Sequence, residues 1–312
     1  MYLNIDFTKF IEYLVLYFLL FTLIIYASID GKRYLQSLYY SSLIFMFVLI
    51  IVAYWEITTG NHFSFSKTNE LPEIYSYTPT TFYVNPNDMM AIVTFIIMFN
   101  LVYIKYNKLK YCLMHKVIFL FQYISSIVLS FITEARLATI TLFLFMFINI
   151  KLSYKLFLLF ILMLIIFLND DLYNYVELFF LQPGGYSDGI RLNLILDALK
   201  NITIFGYGID NSNLLYIALN DPKLMGIINP HNYLMEILIN SGYIIFLLVT
   251  MISMTFMFIL IYYKKFILSS LIFFYYFILM SSSSSIFLYF HYIFLVGFLL
   301  LGISGIEKKN KS

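Results

Sequence analysis

The sequence predicts an all-α, multi-pass membrane protein with about nine transmembrane helices and one large extracytoplasmic loop carrying a short interfacial helix. Three observations predict it. Hydrophobic residues make up 62% of the 312 positions and charged residues only 12%, against about 25% charged in a soluble domain. Several apolar runs reach about 20 residues, enough to cross a hydrocarbon layer about 30 Å thick. Segments rich in lysine and arginine alternate along the chain with segments poor in them, as the positive-inside rule requires.

The expected spans, in order, are 10–29, 34–55, 88–104, 117–133, 136–150, 154–168, 235–262, 266–280 and 284–304. The fifth and sixth are short. The seventh is long enough to tilt or to begin above the membrane. The whole of 1–312 forms a single integral membrane domain, and 169–234 is a cap within it. The first apolar run is too long for the core of a cleaved signal, and no basic segment precedes it, so it reads as a retained helix.

Charge sorts the connections between the spans. Lys32 and Arg33 share one. Lys105, Lys108, Lys110 and Lys116 share another. Lys151 with Lys155, Lys264 with Lys265, and Lys308, Lys309 and Lys311 mark three more. These segments fall on the cytoplasmic side. The N-terminus is then outside and the C-terminus inside. Two segments on the outer side are long. Residues 56–87 are polar and contain "FYVNPNDMM". Residues 169–234 are rich in Leu, Ile, Tyr and Phe, a composition that argues for a folded cap and against disorder. Within the cap, "SDGIRLNLILDALKN" starts with helix-capping residues and reads as a short helix lying at the interface.

Several functions are excluded by composition. A net charge of +2, with no long basic run and no zinc-ligand spacing, gives no footing for nucleic acid. The one cysteine, Cys112, cannot make an internal disulfide or a cysteine-based metal site.

Four polar features fall on the outer side. "TEARLATITL" places Arg136 at the outer start of the fifth span, either as an anchor paired with Glu134 or as a ligand group. Arg191 lies in the cap helix, where alone it reads as a solvated charge. "FGYGI" offers Gly206 and Gly208, a turn through which backbone can approach a ligand, though an ordinary loop turn shows the same pattern. The fourth feature is "NPHNYLMEILINSG". Asn229 and Pro230 suit a helix start, and His231 follows in the first turn. Asn232, Glu236 and Asn240 continue as a polar stripe at helical spacing. That stripe reads either as glue between helices, favoured for Asn240, or as a site, favoured for His231 and Glu236 because ionisable residues at membrane depth are costly.

The chemistry of this set is coherent. Arginine presents a planar fork of donors to phosphate oxygens. A neutral histidine can take a proton from a hydroxyl, and nearby arginines favour its neutral form. These groups suit displacement of a diphosphate leaving group by a sugar hydroxyl.

The order of the motifs resembles the O-antigen ligase and polymerase family of bacterial membrane glycosyltransferases. The matching stretches are "NPND" (85–88), "TEARLATITL", "SDGIRLNLILDAL", "FGYGI" and "HNYLMEILINSGYIIFLL", over roughly residues 80–300. No single motif is specific, and the order and spacing carry the resemblance. It implies transfer of a glycan from a polyprenyl diphosphate to an acceptor hydroxyl at the outer face of the bacterial cytoplasmic membrane, without metal or other cofactor. Arg136, Arg191 and His231 match the family's functional arginines and histidine. Asn87, Gly206, Gly208, Asn232 and Glu236 match positions expected to bind substrate. The implied partners are a polyprenyl-diphosphate-linked oligosaccharide and membrane lipid, with a flippase and a chain-length regulator as further candidates. Two departures stand out. Ala135 occupies a position where the family has serine, and Leu234, Met235, Glu236 replaces an adjacent Leu-Glu pair. The family also has about twelve spans with the N-terminus inside, so nine with the N-terminus outside corresponds to a chain lacking three leading spans.

A repeat-unit polymerase producing a capsule or O-antigen type polysaccharide is the main expectation. A ligase is the nearest alternative and uses the same residues. A lipid-linked glycan flippase would show duplicated halves and helices broken at mid-membrane, and the sequence shows neither. "GISG" at 302–305 with His291 hints at a serine protease, but that pattern is short, frequent and on the cytoplasmic side.

Overall fold

The structure is a computed structural model that describes residues 7–63, 77–82, 86–106, 113–149, 199–200, 203–206 and 233–273. Described segments form seven helices and, among them, no strand: α1 (Phe7–Ile29), α2 (Gly31–Thr59), α3 (Pro86–Tyr106), α4 (Leu113–Ile132), α5 (Arg136–Asn149), α6 (Tyr233–Tyr262) and α7 (Phe266–Phe273). The expected spans 154–168 and 284–304, the rest of 266–280 and nearly all of the cap lie outside the described residues.

Among the described residues four helices are long and apolar enough to cross a membrane: Gly31–Thr59, Pro86–Lys105, Leu113–Ile132 and Ser241–Tyr262. Their surfaces have the polarity of a protein bathed in hydrocarbon. Helix α4 exposes Leu113, Val117, Leu120, Ile124 and Val128 and buries His115, Gln122, Ser126 and Ser130. Water would demand the reverse, because exposed apolar area costs roughly 25 cal/mol per Å² there. In Ser241–Tyr262 the most apolar window has a mean hydropathy of 2.8 and is only 12% buried, a surface suited to lipid rather than to water.

Helix α3 is the axis of the bundle. The run "MMAIVTFIIMF" is apolar on every side, and Met89, Phe95, Ile96 and Phe99 are fully covered. Helices α2, α4, α5 and α7 pack around it. Pro86 and Asp88 open α3 and Lys105 lies in its last turn, an arrangement that suits the free N–H groups and dipole at each end.

Short connections set the directions of neighbouring helices. Asp30 caps α2 by accepting from Arg33 N–H at 3.0 Å, and its second oxygen pairs with Arg33 Nε at 3.1 Å. Helix α4 ends in a Schellman turn: Ala135 N–H reaches Ser130 O at 3.0 Å and Glu134 N–H reaches Phe131 O at 3.1 Å. Glu134 takes the left-handed conformation at φ 52. The same turn closes α6, with Lys265 N–H on Leu260 O at 2.7 Å, Lys264 N–H on Ile261 O at 2.8 Å, and Lys264 at φ 57. A left-handed residue with a Cβ is strained by roughly 1–2 kcal/mol. Lys264→Gly is therefore expected to raise stability by about 0.5–1 kcal/mol after the entropy of glycine is discounted. A thermal unfolding midpoint in detergent that rises for Lys264→Gly and falls for Lys264→Val would bear this out.

Candidate functional site

Asn87 and Arg136 open α3 and α5. These helices pack on each other, and α4, which connects them, runs antiparallel to both. The two residues therefore lie at the same end of the bundle. Arg136 is half-buried, and its N–H donates to Glu134 O at 2.9 Å. The Schellman turn thus fixes where its side chain leaves the backbone. Ala135 beside it is 4% exposed.

Between α2 and α3, the described residues 60–63 and 77–82 meet on a buried side chain. Gly60 ends α2 in the left-handed conformation at φ 69, with its N–H on Glu56 O. The Glu56 carboxylate, fully buried, then accepts three backbone N–H groups, from Phe63, Thr80 and Thr81, each at 2.8 Å. His62 Nδ1 stands 3.8 Å from the same carboxylate and 3.3 Å from Thr80 Oγ1. Backbone N–H groups buried away from water must find partners inside the protein, and a carboxylate is the strongest acceptor available. Phe82 completes the fold-back, with its ring 5.1 Å from Phe63 and 6.2 Å from Phe45. Glu56 therefore ties Phe63, Thr80 and Thr81 to the last turn of α2.

The third element joins two stretches that lie far apart in sequence. Helix α6 is broken at Gly242, which has φ 79 and ψ 178, a conformation open essentially to glycine alone. The backbone of 203–206 lies directly against the break. A Cβ at position 242 would overlap Gly206 N and Ile204 O and stand 2.6 Å from Phe205 C. Tyr243 N–H, freed by the break, donates to Thr203 O at 3.2 Å. Gly206 is itself left-handed at φ 73. Residues 203–206, which include the first two residues of "FGYGI", are thus clamped backbone to backbone on Gly242 and Tyr243, and the part of α6 that carries Glu236 is set off from the span Ser241–Tyr262.

Of the residues singled out in the sequence, Asn87, Arg136 and Gly206 take the positions just described. Glu236 lies in the first turn of α6, with its side chain outside the described residues. His231, Arg191, Asn232 and Gly208 also lie outside them. Glu56 and His62 were not singled out. A lone acid closing the apolar run "FVLIIVAYWE" was the available signal.

An apolar groove of about 640 Å³ runs between α1 and α2, lined by Leu23, Tyr26, Leu38, Phe45 and Val48 and reaching Phe82 of the Glu56-held segment. Among the described residues no three His, Cys, Asp or Glu side chains converge as a metal site would require. No family model, no curated protein and no solved structure matches this chain.

Proposed function

We propose that the chain is a membrane glycosyltransferase that polymerises polyprenyl-diphosphate-linked oligosaccharide repeat units into a surface polysaccharide at the outer face of the bacterial cytoplasmic membrane. The observation that carries this reading is the clamp at Gly242. Residues 203–206, which carry the start of the "FGYGI" motif within the cap, are in backbone contact with Gly242 and Tyr243 of the α6 block, so two motifs whose order prompted the resemblance meet. Arg136 and Asn87 at one end of the bundle support it further. The groove between α1 and α2 suits the prenyl chain of such a donor, which is apolar and enters from the lipid.

In this reading the chain has nine spans, an outside N-terminus and an outer cap over 169–234. Arg136 and Arg191 hold the donor diphosphate by charge-assisted hydrogen bonds. His231 takes the proton from the acceptor hydroxyl. The acceptor oxygen bonds to the anomeric carbon, the bond from that carbon to the diphosphate oxygen breaks, and polyprenyl diphosphate leaves with the electron pair. Asn232, Glu236, Gly206, Gly208 and Asn87 line the substrate path. A flippase delivers the donor, and a chain-length regulator sets the product size.

Alanine at Arg136, Arg191 or His231 is expected to lower polymer at least about 100-fold, the scale of losing an acid–base or charge-stabilising group. Membrane levels of the protein should be unchanged. Arg136→Lys should recover only part of the loss, since lysine lacks the two-pronged fork. Normal polymer from all three alanine variants would overturn the proposal.

A further inference from the structure

The centre of the α2–α3–α4 bundle contains two amide side chains, Asn100 and Gln122, both fully buried. They lean on consecutive residues of α2. Asn100 Oδ1 lies 2.6 Å from Ser42 Oγ, and Gln122 Nε2 donates to Leu43 O at 3.0 Å. The other polar atom of each amide, Asn100 Nδ2 and Gln122 Oε1, has no hydrogen-bond partner among the described residues.

A count of hydrogens sharpens the point. Ser42 Oγ also lies 2.7 Å from Tyr39 O. A hydroxyl has one hydrogen, and neither Tyr39 O nor an amide oxygen can donate. If the Ser42 hydrogen goes to Tyr39 O, Asn100 must present its NH₂ to Ser42, which a half-turn of the amide about its last side-chain bond allows. Asn100 Oδ1 and Gln122 Oε1 are then both unsatisfied acceptors. If the hydrogen goes to Asn100 instead, the leftovers are a donor and an acceptor. Gln122 has no such freedom, because Leu43 O requires its N–H.

Water satisfies both cases, since it can donate twice or donate once and accept once. A cation fits only the first, and among the described residues no carboxylate bonds to either amide to balance it. Buried waters occupy such positions, bridging polar groups that the chain leaves unpaired.

We propose that one water molecule is bound between Asn100 and Gln122. It lies one turn above the Tyr39–His115 hydrogen bond of 2.9 Å and links α3 to α4 behind Ser42. The water would fix the three helices whose outer ends carry Glu56, Asn87 and the turn leading to Arg136. The inference is independent of the proposed activity.

The test is density for the full chain in lipid nanodiscs at a resolution that shows ordered water, for the wild type and Gln122→Leu. The expected result is one peak about 2.7–3.2 Å from both amides, lost in the variant. No peak, two separate peaks, or amides in direct contact would overturn the proposal. So would a peak that disappears when sodium is exchanged for choline. Should Gln122→Leu not fold, the wild-type density decides alone. Unfolding midpoints give a second reading for Asn100→Leu, Gln122→Leu and the double variant. A shared water predicts that the double variant loses less than the sum of the singles, and additive losses would overturn it.

Discussion

Gly242→Ala is expected to cost the protein about 3 kcal/mol or more and to lower the yield of folded protein from the membrane. Two effects combine. Alanine at φ 79 and ψ 178 is strained by about 1–3 kcal/mol. Its methyl group would also occupy the space of Ile204 O and Gly206 N. These are backbone atoms, so no rotamer change relieves the overlap, and such overpacking adds about 1–3 kcal/mol. The clamp must open, which also strands Tyr243 N–H, now bonded to Thr203 O. Thermal unfolding in detergent measures the effect directly. A pair of cysteines at 204 and 243 gives a second reading, because their cross-linking should fall in Gly242→Ala. A midpoint within about a degree of wild type would mean that 203–206 does not rest on α6.

Glu56→Ala is expected to cost a comparable amount, about 3–5 kcal/mol, as for removal of one partner from a buried charged network. Three backbone N–H groups would lose the same acceptor at once. Each buried donor left unpaired costs about 1–3 kcal/mol, and the three are not additive because the loop relaxes as a unit. Glu56→Gln is expected to cost about 2 kcal/mol. It keeps the volume but turns an NH₂ group toward donors that need an acceptor. Limited proteolysis supplies the local readout. Cleavage within 60–82 should accelerate in both variants, while α4 and α5 stay protected. Unchanged proteolysis in Glu56→Ala would contradict the role given to this carboxylate.

The described helices were legible because the thickness of the bilayer sets the length of an apolar span. The expected span 34–55 is the middle of α2, 88–104 lies within α3, and 117–133 overlaps α4 almost throughout. The start of α5 at Arg136 was legible because a charged residue ends one apolar run and begins the next. The break in α6 was not. "EILINSGYIIFLL" is apolar enough on both sides of Gly242 to read as one helix, and a glycine within a helical run is ordinary. What breaks it is 203–206, some 36 residues earlier in the chain, and no local pattern reports such a contact. The role of Glu56 was hidden for the same reason, since Thr80 and Thr81 bind it through backbone atoms and leave no trace in side-chain pattern. The amides of α3 and α4 stand as polar residues in apolar runs, but the contacts of Asn100 with Ser42 and of Gln122 with Leu43 appear only once the helices are packed.

For the candidate site the sequence offered chemistry and no geometry. It put forward arginines, a histidine and glycines as groups suited to a diphosphate transfer, and Arg191, His231 and Gly208 lie outside the described residues. The meeting of Gly206 with the α6 block adds that two of those segments share one place in the fold.

The measurement that tests the central claim most directly is the profile of lipid-linked glycans in the cell that carries this gene, after deletion and after complementation with wild type or His231→Ala. The account predicts that single repeat units on polyprenyl diphosphate accumulate on deletion, and that wild type, but not His231→Ala, restores polymer. Long lipid-linked chains left untransferred would make the protein a ligase. A profile unchanged by deletion would contradict the account altogether.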